Sequence, residues 1–308
     1  MCLGLFLGGF WPGLGILALF AGQVLSFWRI LPRWDRRGAM SVPMLIAASA
    51  LHFAMLCAVA INVASFSGAQ AIVALVAAGL WYGQISGSVA HELIRKPSRR
   101  LQKLGTALFA SLIYGHHASA YVHVHRETAA TPYDPYTASI GEGFWAFALR
   151  AWLGAYQSGF EAEKARLDGS PLWRHPYVVN WGLCAATIAM FAALGGWKGL
   201  AGFLILALLS QLQFLVADYV RHYGLSRTPL PGGGFKPLGK EHAWYATDDD
   251  GALSADASAE GTRPTLPLAL PFMMAIAFVP PLWHRLMDHR ADAWHDKSIE
   301  TRFRQIAS

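Results

Sequence analysis

Residues 178–216 read VVNWGLCAATIAMFAALGGWKGLAGFLILALLSQLQFLV and contain a single charged residue, Lys198. Two apolar runs, 178–194 and 200–216, lie on either side of a short turn with two glycines. Because a helix rises about 1.5 Å per residue, about 20 apolar residues cross the hydrocarbon core of a bilayer, and each run approaches that length. The stretch therefore predicts a helical hairpin that enters a membrane and returns.

The composition of the whole chain agrees with a membrane protein. Of its 308 residues, 54% are hydrophobic and only 14% are charged, and the mean hydropathy is +0.33. Soluble domains usually carry charge on about a quarter of their residues. The net charge of +6 comes from basic residues beside the apolar runs, an arrangement that favours membrane orientation over nucleic-acid binding.

Three further apolar runs, at 3–27, 42–65 and 69–89, bring the predicted number of transmembrane helices to about five. Basic clusters follow the first and third of these runs, at 29–37 and 95–103. By the positive-inside rule both clusters are cytoplasmic, which gives an extracytoplasmic amino terminus. We therefore expect an all-α integral membrane protein, a single domain over 1–308, located in the cell inner membrane.

The remaining segments are less apolar and are expected to lie outside the bilayer core. Runs at 106–114 and 144–160 are too short or too charged to span, so they are placed at the cytoplasmic interface. Residues 229–263, rich in Gly and Asp, are expected to form a solvated loop. The run at 266–282 is interrupted by prolines, which favours an interfacial or re-entrant segment over a spanning helix.

Histidines collect on the predicted cytoplasmic side, where several imidazoles could converge on a metal. They are His91, His116, His117, His123, His125, His175, His222 and His242. In a helical metal site a second His is expected four residues after His91, but Arg95 holds that position and a guanidinium cannot bind metal. Taken alone, His91 and Glu92 fit either a ligand site or an ordinary polar helix end.

Further motifs in the chain allow a comparison with a known family. Gly-His-His at 115–117 precedes Val-His-Val-His-Arg at 122–126, then Ala-Thr-Pro-Tyr-Asp-Pro at 130–135, and Asp-Tyr-Val-Arg-His-Tyr-Gly-Leu stands at 218–225. Together they resemble the alkane 1-monooxygenase branch of the membrane fatty acid desaturase and hydroxylase superfamily. That family carries HELxH, then HxxxHH just before ATPxDP, then NYxxHYGL, and HxxHH near the carboxyl end. The resemblance covers roughly residues 41–294.

The resemblance implies a set of metal ligands that this chain matches only in part. Three family ligand positions hold histidine: His91, His125 and His222. Other family positions hold different residues, namely Arg95, Tyr121 and Arg126 in place of His and Asp218 in place of Asn. After Glu241–Trp244 the HxxHH motif is missing. Substitute or second-sphere residues could come from Glu92, His116, His117, His123, Asp218 and His242.

By resemblance the protein is a non-haem di-iron oxidoreductase that hydroxylates the terminal carbon of medium-chain alkanes with O₂. Its electrons would come from a rubredoxin-type carrier and its reductase, and its site would lie on the cytoplasmic face of the membrane. Two alternatives stay open. The chain could be a fatty acyl desaturase or hydroxylase, or a degenerate family member without an intact di-iron site, as the replaced ligands suggest.

Overall fold

The computed structural model describes Gly13 and residues 40–65, 68–246 and 263–306, with side chains as far as Trp294 in the last helix. The predicted first span, 3–27, and the basic cluster at 29–37 lie outside these residues. Within them the chain is helical and contains no strand, only isolated bridges at Pro229–Phe235 and Tyr245–Thr265.

The second and third predicted spans are continuous helical segments. Helix α1, Val42–Asn62, ends in a 3₁₀ turn, Val63–Ser65, so its bounds agree with the predicted run. Helix α2, Gly68–Leu80, passes through a π-helical segment, Trp81–Ser86, into helix α3, Gly87–Ile94. This segment continues five residues beyond the predicted end at 89, and it therefore carries His91 and Glu92 on its last turn.

A series of shorter helices follows, and it contains the histidine motifs. The elements are α4 (Arg99–Ala110), α5 (His116–Ala120), a second π-helical segment (Tyr121–His125), α6 (Arg126–Thr128) and α7 (Phe144–Arg166). The second π-helical segment contains the candidate ligands His123 and His125, and such segments are frequent at functional sites.

Helix α8, Pro176–His222, contains the stretch that opened the sequence analysis. At Gly196 the backbone leaves the helical region, with φ 58° and ψ −147°. The rings of Phe191 and Phe203 stack with centroids 4.6 Å apart, although twelve residues of straight helix would separate them by about 18 Å. The chain therefore reverses at Gly196, as the hairpin prediction requires.

Close packing between α8 and the α2–α3 segment depends on glycines spaced four residues apart. A Cβ added to Gly79, Gly83 or Gly87 would lie 2.8, 2.4 and 2.1 Å from the nearest side-chain atom of α8. These nearest atoms belong in turn to Leu209, Gln213 and Phe214. Small residues at this spacing let helices approach closely within a bilayer.

Three helical segments of the described chain are long and apolar enough to cross a membrane: Val42–Ser65, Gly68–Ile94 and Pro176–His222. The third contains the reversal at Gly196, so it supplies two arms. The expected count of five stays a prediction because the first span lies outside the described residues.

The carboxyl-terminal segment forms two helices separated by a break. Helix α9, Leu270–Ala277, carries Pro271 at its start, and helix α10, Pro280–Ile306, begins with a proline. Proline is well tolerated in the first turn because its missing N–H has no partner there in any case. Neither helix is among the described segments that could span a membrane, and the interfacial or re-entrant placement of 266–282 stays a prediction. The sequence analysis did not predict α10.

The loop expected over 229–263 is solvated only in part. Most residues of 229–241 are exposed, whereas His242 and Trp244 are buried. The reason is a set of hydrogen bonds to the end of α8: Trp244 donates its backbone N–H to the Arg221 carbonyl and its indole N–H to the Tyr223 carbonyl. Residues 247–262 lie outside the described part.

The chain divides into two compact units. The first comprises Met1–His123 and Tyr156–Phe214, and the second comprises Val124–Ala155 and Leu215–Ser308. The expectation of a single domain stays a prediction, since α7 and α8 each run through both units.

Candidate functional site

In the second unit, two of the three predicted metal ligands lie side by side. His125 ends the second π-helical segment and His222 ends α8, and their ring centroids are 5.1 Å apart. The Nδ1 of His125 lies 3.0 Å from Oδ2 of Asp134, whose side chain is buried. Because a carboxylate only accepts, His125 donates from Nδ1, and this bond fixes the orientation of the ring.

Charges near His125 change its ionisation. Burial lowers the pKa of His125, but the hydrogen bond and negative charge of Asp134, with the charge of Asp218, outweigh burial and raise it above the usual value. Burial also raises the pKa of Asp134, yet the bonds from His125 and Thr137 outweigh that effect and hold it below the usual value. The pair is therefore held as a charge-assisted hydrogen bond.

Asp134 is also the centre of the Ala-Thr-Pro-Tyr-Asp-Pro turn. Its Oδ2 accepts a bond of 2.7 Å from the Thr137 hydroxyl, and its Oδ1 accepts one of 3.2 Å from the Tyr136 backbone N–H. The Thr137 oxygen in turn accepts from the Ala130 N–H at 2.9 Å. The sequence analysis did not include Asp134 among the site residues, and no spacing in the sequence shows that it contacts His125.

The His-Tyr-Gly-Leu motif ends α8 and turns the chain away from it. Gly224 has φ 69°, and a Cβ there would lie 2.6 Å from Ile140, so only glycine fits this position. The Tyr223 hydroxyl accepts from the Gly141 N–H at 2.8 Å and donates to Asp288 on α10. These contacts fix the helix end that carries His222.

In the first unit the third predicted ligand, His91, faces a histidine from another motif. The Nε2 atoms of His91 and His117 are 3.3 Å apart, and their rings are nearly perpendicular, with centroids 4.9 Å apart. His117 is fully buried, stacked on Tyr114 at 4.8 Å. The Tyr121 ring packs against both, 5.2 Å from His91 and 5.9 Å from His117.

Two of the residues at positions where the resemblance implies histidine ligands are on the surface. The Arg95 side chain is 53% exposed and binds Glu92 at 2.9 Å, and Lys96 binds the same carboxylate at 2.8 Å. Arg126 is also exposed. Glu92, a candidate substitute ligand, is thus engaged by two cations, which compete with a metal for its oxygens.

The other candidate substitutes have partners of their own. His123 lies 3.4 Å from the Glu163 carboxylate. His242 is buried and accepts from the Gly239 N–H at 2.9 Å. His116 packs on the Tyr156 ring, and burial lowers its pKa to about 3. Asp218 lies one turn before His222 on α8, and its charge contributes to the raised pKa of His125.

The residues of the described chain do not fit a two-iron cage. Each iron needs about three protein ligands or more, as in the triad of two histidines and one carboxylate. The histidines form pairs, and no set of three or more His, Cys, Asp or Glu side chains in the described part is placed to hold a metal ion. Arg95, Tyr121 and Arg126 hold positions where the resemblance implies histidine ligands, and a guanidinium cannot bind a metal.

Comparison with known proteins places these motifs in a family. The model named "Fatty acid desaturase" matches residues 67–271, which is more than half of the chain. An alkane 1-monooxygenase of Acinetobacter baylyi is 29% identical over 238 residues, covering 69% of this chain and 58% of that protein. Alkane 1-monooxygenase 2 of Pseudomonas aeruginosa is 26% identical over 243 residues, covering 72% and 64%.

A third relative, alkane 1-monooxygenase 1 of Alcanivorax borkumensis, is 28% identical over 253 residues, covering 71% of this chain and 60% of that protein. In each comparison the chain spans less than two thirds of the relative's length. The matched segment 67–271 contains both histidine pairs, the Ala-Thr-Pro-Tyr-Asp-Pro turn and the end of α8. The protein therefore belongs to the fatty acid desaturase family.

Proposed function

We propose that this protein is an oxidoreductase of the alkane 1-monooxygenase type, which hydroxylates the terminal carbon of medium-chain alkanes with O₂. The observation that carries the proposal is the cluster of His125, Asp134 and His222, because the three family motifs that supply it meet in one place. The names of the three relatives support the same class of substrate.

The residues of this cluster have separable tasks. Asp134 orients His125 through Nδ1 and directs its Nε2 lone pair away from the carboxylate. His222 stands at the end of a mainly apolar helix, so a hydrocarbon dissolved in the bilayer could reach it without crossing water. The proposed location is the cell inner membrane, with the motifs on the cytoplasmic side.

Product analysis tests the proposal against the fatty acyl alternative. The chain would be expressed with a rubredoxin and its reductase in a host without alkane hydroxylase and given octane or a fatty acyl substrate. We expect 1-octanol, its loss in His222→Ala, and its retention in His175→Ala, whose ring stacks on Phe160. Desaturated or hydroxylated acyl products alone would favour the alternative, and no product from correctly inserted protein would contradict both enzymatic functions.

The electron carrier is proposed to dock on the start of α4. Arg99, Arg100 and Lys103 are exposed there, and a cluster of one sign attracts an acidic partner and speeds association. Charge reversal at Arg99 and Arg100 should raise the KM for rubredoxin severalfold, with little change in kcat. The same variants should lose the salt dependence of the wild type, and an unchanged KM at low salt would contradict the docking site.

A second candidate function is favoured by Arg95 and Arg126. Both stand at family ligand positions and both are exposed, which suggests a family scaffold that no longer holds two irons. On this view the purified protein should hold fewer than two irons per chain after mild detergent extraction. Two irons per chain, lost together in His222→Ala and kept in His175→Ala, would reject the degenerate scaffold.

A further inference from the structure

The geometry of His91 and His117 matches that of two ligands of one metal ion. Imidazole nitrogens bind first-row metals at about 2.0 to 2.1 Å, so two of them at a tetrahedral angle lie about 3.3 Å apart. The two Nε2 atoms are 3.3 Å apart. The corresponding ring centroids would be about 5 Å apart in such a site, and they are 4.9 Å apart.

We propose that His91 and His117 bind a single divalent first-row transition-metal ion between their Nε2 atoms. His117 matches no ligand position of the family. It lies in a different motif from Arg95, whose position the resemblance assigns to the second ligand of the first motif. Imidazole is a good ligand for copper, zinc, nickel and iron alike, so the site is defined by its two nitrogens rather than by one metal.

The surroundings hold both rings in the binding orientation. The Phe109 ring makes T-shaped contacts with His91, at a centroid distance of 5.2 Å, and with His117, at 4.9 Å. Tyr114 stacks on His117, and Phe214 lies nearly parallel to both rings, with centroids 5.6 Å from Tyr114 and 6.4 Å from His117. Because these contacts fix the rings, a metal can bind without a large loss of side-chain entropy.

The competing explanation is a hydrogen bond between the two imidazoles, in which one Nε2 is protonated and the other accepts. That arrangement needs no metal, and it predicts that the pair does not retain one. The inference rests on this geometry and not on the proposed alkane oxidation, so either can fail without the other.

Cu²⁺ alone is a suitable probe, because pulsed electron paramagnetic resonance counts the imidazoles bound to it. The full-length protein in lipid nanodiscs would be titrated with Cu²⁺. We expect a site with two imidazoles, and we expect His117→Phe to leave one imidazole and to weaken binding about tenfold or more. Phenylalanine keeps the stack on Tyr114 and removes the ligand nitrogens, so the fold should survive.

Matched variants separate this site from other histidines. His91→Ala should have the same effect as His117→Phe, and His289→Ala, which removes an exposed histidine, should leave both the affinity and the two-imidazole signal unchanged. Because the neighbouring His125 and His222 could also bind copper, the variants are compared in a His222→Ala background, and a two-imidazole signal that persists there in His117→Phe would overturn the proposal. Binding that weakens equally in His289→Ala would overturn it too, since the copper would then sit on the surface.

Discussion

Replacing Asp134 by Asn should destabilise the protein, because the carboxylate is the acceptor at the centre of its turn. Its Oδ2 accepts from the His125 Nδ1–H at 3.0 Å and from the Thr137 hydroxyl at 2.7 Å. The Oδ1 atom accepts from the Tyr136 N–H. An amide has one oxygen and one NH₂, so either the Tyr136 N–H or the two donors at the Oδ2 position lose their acceptor. Hydrogen bonds to charged groups contribute about 1.5 to 3 kcal/mol each, so the free energy of unfolding should fall by about 2 to 4 kcal/mol.

Thermal unfolding in detergent measures this change, with an expected fall in melting temperature of roughly 4 to 12 °C. Asp168→Asn is the matched control, because Asp168 is exposed and has φ 46°, a conformation that asparagine adopts readily. That control should melt within about 1 °C of the wild type. If Asp134→Asn melts like Asp168→Asn, the carboxylate does not hold His125 and the turn as described.

Three further predictions test the packing, the helix end and the topology. Gly87→Ala should destabilise the protein by about 1 to 3 kcal/mol, because its Cβ would meet the Phe214 ring, whereas Gly182→Ala, with nothing within 4 Å, should not; thermal unfolding compares the two. Tyr223→Phe should lower the free energy of unfolding by about 1 to 3 kcal/mol, since the Gly141 N–H and the Asp288 carboxylate both lose a partner; an unchanged melting temperature would contradict this. A reporter fused at Gly195 should behave as periplasmic, and cytoplasmic activity there would overturn the predicted orientation.

The candidate spanning segments could be predicted because bilayer thickness fixes the length of an apolar run. The run predicted at 42–65 has the bounds of α1 and its 3₁₀ turn, and the hairpin turn predicted at 195–198 contains the reversal at Gly196. The predicted end of the third span, at residue 89, was less accurate, since Glu92 is polar but still helical. A hydropathy pattern places the end of a span at the first charged residue, whereas backbone hydrogen bonds continue the helix to Ile94.

Helix α10 was missed for a related reason. The sequence analysis treated Pro280 as an interruption of an apolar run, although a proline in the first turn is a common way to begin a helix. The residues after 283 are too charged to give a membrane signal. The hydrogen bond between Tyr223 and Asp288 could not be predicted from a hydropathy pattern, because it joins positions 65 residues apart.

The candidate site could be predicted only as far as the family motifs reach. Those motifs identified His91, His125 and His222, but the neighbours of each ring depend on backbone geometry that the sequence does not encode locally. His91 and His117 are 26 positions apart, and they meet because helix α4 and the turn after it bring the chain back to the end of α3. Motif spacing alone placed the expected second ligand beside His91 at position 95, which is an arginine.

If His91 and His117 bind a metal ion as proposed, loss of a motif histidine and loss of metal binding are separate events. Arg95 cannot bind a metal, yet the position opposite His91 is filled by His117 from another part of the chain. An iron-to-protein ratio counts ions but does not show how each one is held. The number of imidazoles per ion separates the possibilities more sharply, because a two-iron cage would give each ion about three or more protein ligands, whereas an ion bound at the His91–His117 pair would show two.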